Sequence, residues 1–240
     1  MKKLLLATTL LTMSAGFATA DVVRLATEGA YPPYNFINDA GEVDGFERKF
    51  ADELCKRAAL ECTWSTNEWD SIIPNLQSGN YDVIVAGMSI TDEREAVIDF
   101  TQAYIPPASS AYLALSKDAD LKSGAVAAQT STIQAAFVAE NGMTVVEYAT
   151  PEETVAAVKN GEAVAVLADK DYLKPIAAES NGELVLLDKE ETIGGGVGMG
   201  FRDSDDELRG KFDAAITSMK EDGSLNTMIT EFFGPEAKLW

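Results

Sequence analysis

The stretch DSIIPNLQSGNYDVIVAG, residues 70–87, carries the pattern that decides the fold. Ile72 and Leu76 fall on one face of a short helix that Asp70 is expected to cap and Gly79 to end. The apolar run YDVIVAG that follows predicts a buried strand. Helices that alternate with buried strands indicate an α/β protein with a largely parallel sheet.

The same pattern recurs in TPEETVAAVKNGEAVAVLAD, residues 150–169. When Gly79 is aligned with Gly161, both units run helix, glycine, strand, and the strands end at Gly87 and Asp169. Ligands of open α/β sheets sit beyond the carboxyl ends of strands, so we expect Gly87 and Asp169 to face each other. The alternative is a chance similarity between two ordinary α/β units.

Three helix starts are marked by hydroxyl side chains. Thr150 with Glu153, and Ser204 with Glu207, have the spacing of a capping box. Thr91 precedes a run of acidic residues and is the expected N-cap of a helix that ends near residue 98.

The chain has two cysteines, Cys55 and Cys62. In one continuous helix they would lie about 10 Å apart, too far for a disulfide. A disulfide therefore requires the helix FERKFADELCKRAAL to stop near Leu60 and ECTWS to turn back as a strand. In an exported protein we favour this bridge over free thiols, with a contribution of about 2 to 3 kcal/mol from its short loop.

The first residues, 1–20, have the form of a secretory signal peptide: Lys2 and Lys3, an apolar run, and Ala18-Thr19-Ala20 before Asp21. No cysteine follows the expected cleavage site, so we do not expect a lipid anchor. The mature protein is expected to be soluble outside the cytoplasm.

The chain is acidic and contains no histidine, with a formal net charge of −20. Loss of Lys2 and Lys3 with the signal peptide takes that charge to −22, two cations fewer. This charge disfavours nucleic acid as a partner and favours a cationic small molecule. The absence of histidine excludes Ser-His and Cys-His nucleophile pairs, and no metal or cofactor is expected.

Arg94 lies among Asp92, Glu93 and Glu95, in the first turn of the helix that Thr91 caps. A cation is unfavourable at that end of a helix, which suggests another purpose. Its guanidinium, the Ser89 hydroxyl and the free N–H groups of the helix start would together form a carboxylate site. The alternative is a surface arginine paired with Asp92 or Glu95.

From about residue 22 to residue 234 the chain resembles the polar and basic amino-acid solute-binding proteins of bacterial ABC importers. The resemblance rests on these segments in this order: YPPYNF after a strand, Gly41 to Gly45-Phe46, ELCKR with Cys62, WDSIIPNLQSGNYDVIVAGMSITDER with Phe100, Asp169, and EDGSLNTMITEFFG.

The resemblance implies a two-lobe periplasmic-binding-protein clamshell of type II. Each lobe has a mostly parallel sheet flanked by helices, and two crossing strands join the lobes. Residues 21–111 with 198–240 would form lobe 1, and residues 112–197 would form lobe 2. YIPPASSAYLAL and GGGVGMGF are the candidate crossings.

The same resemblance implies a site for an α-amino acid. Arg94 would bind the α-carboxylate with the N–H groups of Ser89 and Thr132, and Asp169 would bind the ammonium with the Ser89 hydroxyl and the Gly87 carbonyl. The expected ligand-binding residues are Glu28, Tyr31, Trp69, Gly87, Met88, Ser89, Arg94, Ser131, Thr132 and Asp169.

Glu28, Tyr31 and Trp69 occupy positions that flank the ligand side chain in similar proteins. Two aromatic faces cover an aliphatic stem and a cationic head, and Glu28 pairs with the cation. Arginine, lysine or ornithine is therefore the expected ligand. An opine or a neutral polar amino acid is the alternative, and ordinary core packing is an alternative for both aromatic residues.

The chain departs from its relatives in three places. Glu47-Arg48-Lys49 replaces an acidic and apolar pattern, on a face that we expect to be exposed. Thr130 stands where relatives commonly have glycine, so a positive φ there would displace the donors of Ser131 and Thr132. Pro106-Pro107 in the first crossing is expected to stiffen the hinge.

These observations predict the substrate-binding component of an ABC amino-acid import system, a monomer that delivers its ligand to a membrane permease. A dehydratase-type enzyme on the same fold is the alternative, with Glu28 as general acid or base if burial raises its pKa. A ligand-sensing module is a further alternative.

Overall fold

The computed structural model describes residues 22–240, and the expected signal peptide lies outside them. The described chain forms two α/β lobes, each built around a five-stranded sheet. No helix among the described residues combines the length and the apolar character needed to span a membrane.

The first lobe contains most of the N-terminal half of the chain and its C-terminal helices. Its strands are β1 (Val23–Thr27), β2 (Ala30–Tyr31), β3 (Asn35–Ile37), β4 (Val43–Asp44), β5 (Cys62–Thr66), β6 (Val83–Ile84) and β7 (Asp99–Phe100). Its helices up to this point are α1 (Phe46–Arg57), α2 (Ile72–Gln77) and α3 (Asp92–Glu95), with a 3₁₀ turn at Trp69–Ser71.

The second lobe is formed by the middle of the chain. Its strands are β8 (Ser109–Ala114), β9 (Ala125–Gln129), β10 (Thr144–Tyr148), β11 (Ala165–Asp169) and β12 (Val185–Thr192). Its helices are α4 (Ile133–Glu140), α5 (Pro151–Lys159) and α6 (Lys170–Glu179). The chain then returns to the first lobe with β13 (Gly200–Phe201), α7 (Asp206–Glu221) and α8 (Ser224–Phe233).

The two sheets share one design, as the repeated pattern predicts. The first has the order β5-β1-β6-β13-β7 and the second the order β10-β9-β11-β8-β12. In each, the first three strands are parallel and the strands nearest the crossings are antiparallel. The strands β6 and β11, which follow the two aligned glycines, hold the third position of their sheets. Their carboxyl ends therefore lie at equivalent places.

Two segments connect the lobes, between Phe100 and Ser109 and between Thr192 and Gly200. They lie side by side, since Ile105 forms an antiparallel bridge with Val197. Both candidate crossings in the sequence overlap these segments. The lobe limits at residues 111 and 198 stay a prediction.

Two of the three predicted hydroxyl caps have the expected bonds. Thr150 and Glu153 form a complete capping box, and the Thr91 hydroxyl accepts a hydrogen bond from Arg94 N. The predicted box at Ser204 is wrong, because that hydroxyl bonds to the Asp205 side chain and α7 begins at Asp206. The helix that Thr91 caps is also shorter than predicted, since α3 ends at Glu95.

The predicted cap at Asp70 is also wrong. Asp70 lies inside the 3₁₀ turn that precedes α2, and Ser71 is the N-cap without a side-chain bond.

The disulfide prediction is confirmed. Helix α1 ends at Arg57 and β5 begins at Cys62, so the chain reverses between the cysteines. Cys55 and Cys62 are bonded, with 6.3 Å between their Cα atoms.

Candidate functional site

A pocket lies between the lobes, at the carboxyl ends of their parallel strands. It holds about 360 Å³ of empty space, counting the part open to solvent at its mouth. The first lobe lines it with Glu28, Tyr31, Trp69, Ala86, Gly87, Ser89 and Arg94, and the second with Gln129, Thr132, Ile133, Gln134 and Asp169.

Arg94 is held in the pocket by backbone carbonyls of both lobes. Its Nη1 donates to Ser89 O at 2.8 Å, and its Nη2 donates to Ser131 O at 3.2 Å. Burial lowers the pKa of Arg94 to about 10, which leaves the guanidinium charged at neutral pH. Asp92 and Glu95, the alternative partners, form no ion pair with it among the described residues. In the part of the chain that the structure describes, the other N–H groups of its guanidinium make no hydrogen bond, so they can bind a ligand.

Two backbone N–H groups at the pocket wall have no acceptor. Within residues 22–240, neither Ser89 N nor Thr132 N donates a hydrogen bond to the protein. Thr132 is the N-cap of α4, where free N–H groups attract anions. The turn before it needs a positive φ, as the departure from relatives suggested, but Ser131 adopts it (φ 57°) rather than Thr130.

Asp169 ends β11 and faces Arg94 from the other lobe. Its Oδ2 accepts a hydrogen bond from the Tyr31 hydroxyl at 2.9 Å, and its Oδ1 accepts one from Gln134 Nε2 at 3.1 Å. Burial raises the pKa of Asp169 to about 6, while the Tyr31 hydroxyl and the charge of Arg94 oppose that rise. Each carboxylate oxygen keeps a lone pair that a cation can use.

Glu28 is the second acidic group of the pocket. Its Oε1 accepts a hydrogen bond of 2.6 Å from Gln129 Nε2 in the other lobe. Burial raises the pKa of Glu28 to about 7; the Gln129 bond opposes the rise, and the nearby charges of Glu68 and Asp70 add to it. A cation bound at this carboxylate would stabilise its ionised form and offset the free-energy cost of its burial.

The two predicted aromatic residues line the pocket and have partners of their own. The Tyr31 ring stacks on Tyr172 of the second lobe, with centroids 4.3 Å apart. The Arg94 guanidinium lies 5.4 Å from the ring centroid of Trp69, within the range of a cation–π contact. Both rings therefore contribute polar or interlobe contacts beyond simple core packing.

The structure brings eight of the ten predicted ligand-binding residues to the pocket wall. Met88 is not among them, because its side chain is fully buried in the first lobe. Ser131 is outside the wall as well, although its carbonyl holds Arg94.

Four wall residues were not predicted: Ala86, Gln129, Ile133 and Gln134. Gln129 ends strand β9. The rule that selected Gly87 and Asp169 from the ends of strands would have found it.

The expectation for Glu47 is wrong. Its side chain is fully buried, at 0% exposure, whereas Arg48 and Lys49 lie on the outer face of α1. Sequence alone did not reveal this burial, since the acceptor role of the carboxylate depends on groups from distant segments.

The pocket thus combines one guanidinium, two carboxylates and two free backbone donors. This set suits a ligand with one carboxylate and two cationic groups. Within residues 22–240 there is no group of three or more Cys, Asp or Glu residues placed to hold a metal ion.

Comparison with known proteins gives a family match over residues 23–235, to the bacterial extracellular solute-binding proteins, family 3. A crystal structure of a periplasmic His/Glu/Gln/Arg/opine family-binding protein from Silicibacter pomeroyi, in complex with lysine, is 71% identical with a TM-score of 0.90. The match covers 91% of this chain and 100% of that one.

Two curated relatives are similar over nearly their whole length. The L-arginine-binding protein of Pseudomonas aeruginosa is 31% identical, with 90% of each chain covered. The histidine-binding periplasmic protein of Salmonella typhimurium is 30% identical, with 97% of each chain covered.

Proposed function

Because the chain belongs to the bacterial extracellular solute-binding proteins of family 3, we propose that it binds a basic amino acid between its lobes and delivers it to the permease of an ABC importer. The ligand is arginine, lysine or ornithine. One observation carries this proposal: Arg94 and Asp169, from opposite lobes, line one pocket together with Glu28.

The α-carboxylate of the ligand binds Arg94. The guanidinium is already oriented by the carbonyls of Ser89 and Ser131, so little side-chain freedom is lost on binding. The free N–H groups of Ser89 and Thr132 add neutral donors, one from each lobe. A ligand carboxylate that contacts both lobes favours their closed arrangement.

The α-ammonium group binds Asp169, the Ser89 hydroxyl and the Gly87 carbonyl. Gly87 has a positive φ of 61°, and within residues 22–240 its carbonyl accepts no hydrogen bond. A carboxylate, a hydroxyl and a carbonyl provide three acceptors for the three N–H bonds of an ammonium group.

The cationic side chain of the ligand lies between the faces of Tyr31 and Trp69 and pairs with Glu28. When all three are ionised, Arg94 carries one positive charge and Glu28 and Asp169 carry one negative charge each, so the pocket has one net negative charge. A basic amino acid carries one net positive charge, so its side chain matches the second carboxylate. A neutral amino acid such as glutamine leaves Glu28 without a cation.

The relatives support the ligand class. One is named as an L-arginine-binding protein, and the crystal structure from Silicibacter pomeroyi contains lysine. The family name of that structure also includes histidine, glutamate, glutamine and opines. An opine or a neutral polar amino acid is therefore the alternative ligand.

Titration calorimetry tests the proposal with arginine, lysine, ornithine, histidine, glutamine and octopine, together with an NMR assay for turnover of each. Tight binding of a basic amino acid without product supports transport. Product formation would favour the dehydratase-type enzyme, for which the pKa of Glu28, about 7, suits a general acid or base. Binding of none of the six would overturn the proposal.

The export route belongs to the same proposal. The protein loses residues 1–20, works as a soluble monomer in the periplasm, and closes residues 112–197 against residues 21–111 and 198–240. Mass spectrometry of the exported protein tests the first point, with a mature chain expected to begin at Asp21.

A further inference from the structure

Glu47 is a buried acidic residue that lines no part of the pocket. It lies in the first turn of α1, and its side chain has 0% exposure. Its Oε1 accepts hydrogen bonds from Gly87 N at 2.6 Å and from the Tyr104 hydroxyl. Its Oε2 accepts one from Asn35 Nδ2 at 2.7 Å.

This carboxylate acts only as an acceptor, which is the bonding pattern of the ionised form. No lysine or arginine among residues 22–240 forms an ion pair with it. Burial raises the pKa of Glu47, and its three donors oppose that rise. A buried charge without a cation is costly, and the three hydrogen bonds to the carboxylate offset part of that cost.

The three donors come from the pocket wall, from β3 and from a crossing. Gly87 follows β6 and lines the pocket, and within residues 22–240 its carbonyl accepts no hydrogen bond. Asn35 connects Glu47 to the backbone beside Glu28. Its Oδ1 accepts a hydrogen bond of 2.7 Å from the N–H of Gly29, which directly follows Glu28. Tyr104 lies in the first crossing between the lobes.

The start of α1 is fixed against the same region. Gly45, with φ 112°, precedes the helix, and a Cβ atom there would lie 2.6 Å from Tyr34 O. Phe46 N and Glu47 N donate to Pro33 O and Tyr34 O, at 2.9 and 2.8 Å. The backbone of Glu47 is therefore fixed in position, and its carboxylate bonds to Gly87 from there.

We propose that Glu47 is a positioning residue, which fixes the peptide group before Gly87 so that the Gly87 carbonyl is presented to the α-ammonium group of the ligand. This inference rests on the proposed function. It differs from a structural role in one consequence: loss of Glu47 should weaken binding of ligands that have an α-ammonium group more than binding of ligands that lack one.

The test is titration calorimetry of the full mature protein with lysine and with 6-aminohexanoate, which is lysine without its α-ammonium group. Glu47→Gln should lower the affinity for lysine about tenfold or more, and that for 6-aminohexanoate by about threefold or less. Tyr104→Phe removes one donor and keeps the ring, so it should give the same selective loss at a smaller size. If Glu47→Gln does not fold, Tyr104→Phe alone tests the inference.

Glu53→Gln is the matched control, because it makes the same change on the outer face of the same helix, where Glu53 pairs with Arg57 at 2.9 Å. It should leave both affinities unchanged. Equal losses for lysine and 6-aminohexanoate in both test variants, or no loss in either, would overturn this inference alone. Absence of binding of every basic amino acid by the wild-type protein would overturn the proposed function and this inference with it.

Discussion

The Tyr31 hydroxyl and the Asp169 carboxylate join the two lobes through a hydrogen bond of 2.9 Å. The same hydroxyl accepts a hydrogen bond from Asp169 N at 3.1 Å, so it holds both the side chain and the backbone of that residue. Tyr31 is therefore more than an aromatic wall of the pocket: it orients the carboxylate that is expected to bind the ligand ammonium.

Replacement of the pocket cation should abolish tight binding. In Arg94→Ala the ligand carboxylate loses a charge-assisted fork, so we expect about 3 kcal/mol of lost binding free energy, or about a 100-fold weaker affinity for arginine. Calorimetry measures the loss. Arg48→Ala, which removes a surface arginine paired with Asp52 at 2.6 Å, is the control and should bind normally. Unchanged affinity in Arg94→Ala would mean that another group binds the carboxylate.

Glu28 should determine the preference for a basic side chain. Glu28→Gln removes the expected partner of the ligand cation, so arginine and lysine should lose about tenfold or more in affinity while glutamine gains or is unaffected. Competition calorimetry with the three ligands measures the ranking. Glu61→Gln, at an exposed position, makes the same change away from the pocket. The same ranking in Glu28→Gln as in the wild type would contradict the assignment.

The affinity for arginine should depend on pH near neutrality. In the unliganded protein the pKa is about 7 for Glu28 and about 6 for Asp169, because both are buried. A bound cation keeps both groups ionised, so binding releases protons below these values. The affinity should therefore rise with pH up to about 7 and then level off. Calorimetry in two buffers of different ionisation enthalpy measures the protons released, and none released at about pH 6 would contradict this expectation.

The unliganded protein should gain stability when Glu28 is neutralised, at high pH only. The pKa of Glu28 is raised from 4.5 to about 7 in the folded state, so its ionised form destabilises the fold. That cost is absent below the unfolded pKa, grows between the two values, and is complete above about pH 7. Glu28→Gln should thus raise the free energy of unfolding by about 1 to 3 kcal/mol at pH 8 and leave it unchanged at pH 4. Urea denaturation at both pH values tests this, and equal gains at both would point to packing instead.

The disulfide should stabilise the first lobe without contributing to binding. Cys55 and Cys62 lie on α1 and β5 and line no part of the pocket. Replacement of both by serine should lower the free energy of unfolding by about 2 to 3 kcal/mol and leave the arginine affinity unchanged. Urea denaturation and calorimetry of the double variant measure the two quantities separately. A large loss of affinity would show that the bridge also shapes the site.

Much of the fold could be predicted because its signals are local. The Thr150 capping box and the turn between Cys55 and Cys62 depend on residues within a few positions of each other. The caps at Asp70 and Ser204 were predicted wrongly, because a local spacing does not show which competing bonds the same residues form. A spacing alone does not exclude a 3₁₀ turn at Asp70, or a competing bond between Ser204 and Asp205.

The site could be predicted only in part, since its contacts join distant segments. The ends of two similar strands predict that Gly87 and Asp169 lie near each other, and both line the pocket. The bond between Gln129 and Glu28 spans 101 positions, and no periodic pattern encodes it. Nor does any local pattern distinguish a buried Glu47 from an exposed one, because its three donors lie elsewhere in the chain.

A crystal structure of the protein with bound arginine tests the central claim most directly. We expect the ligand in the pocket between the lobes, with its α-carboxylate on the Arg94 guanidinium, its α-ammonium group on Asp169 and its side chain directed to Glu28. A ligand that is bound in the reverse direction, or bound away from Arg94 and Asp169, would contradict the account.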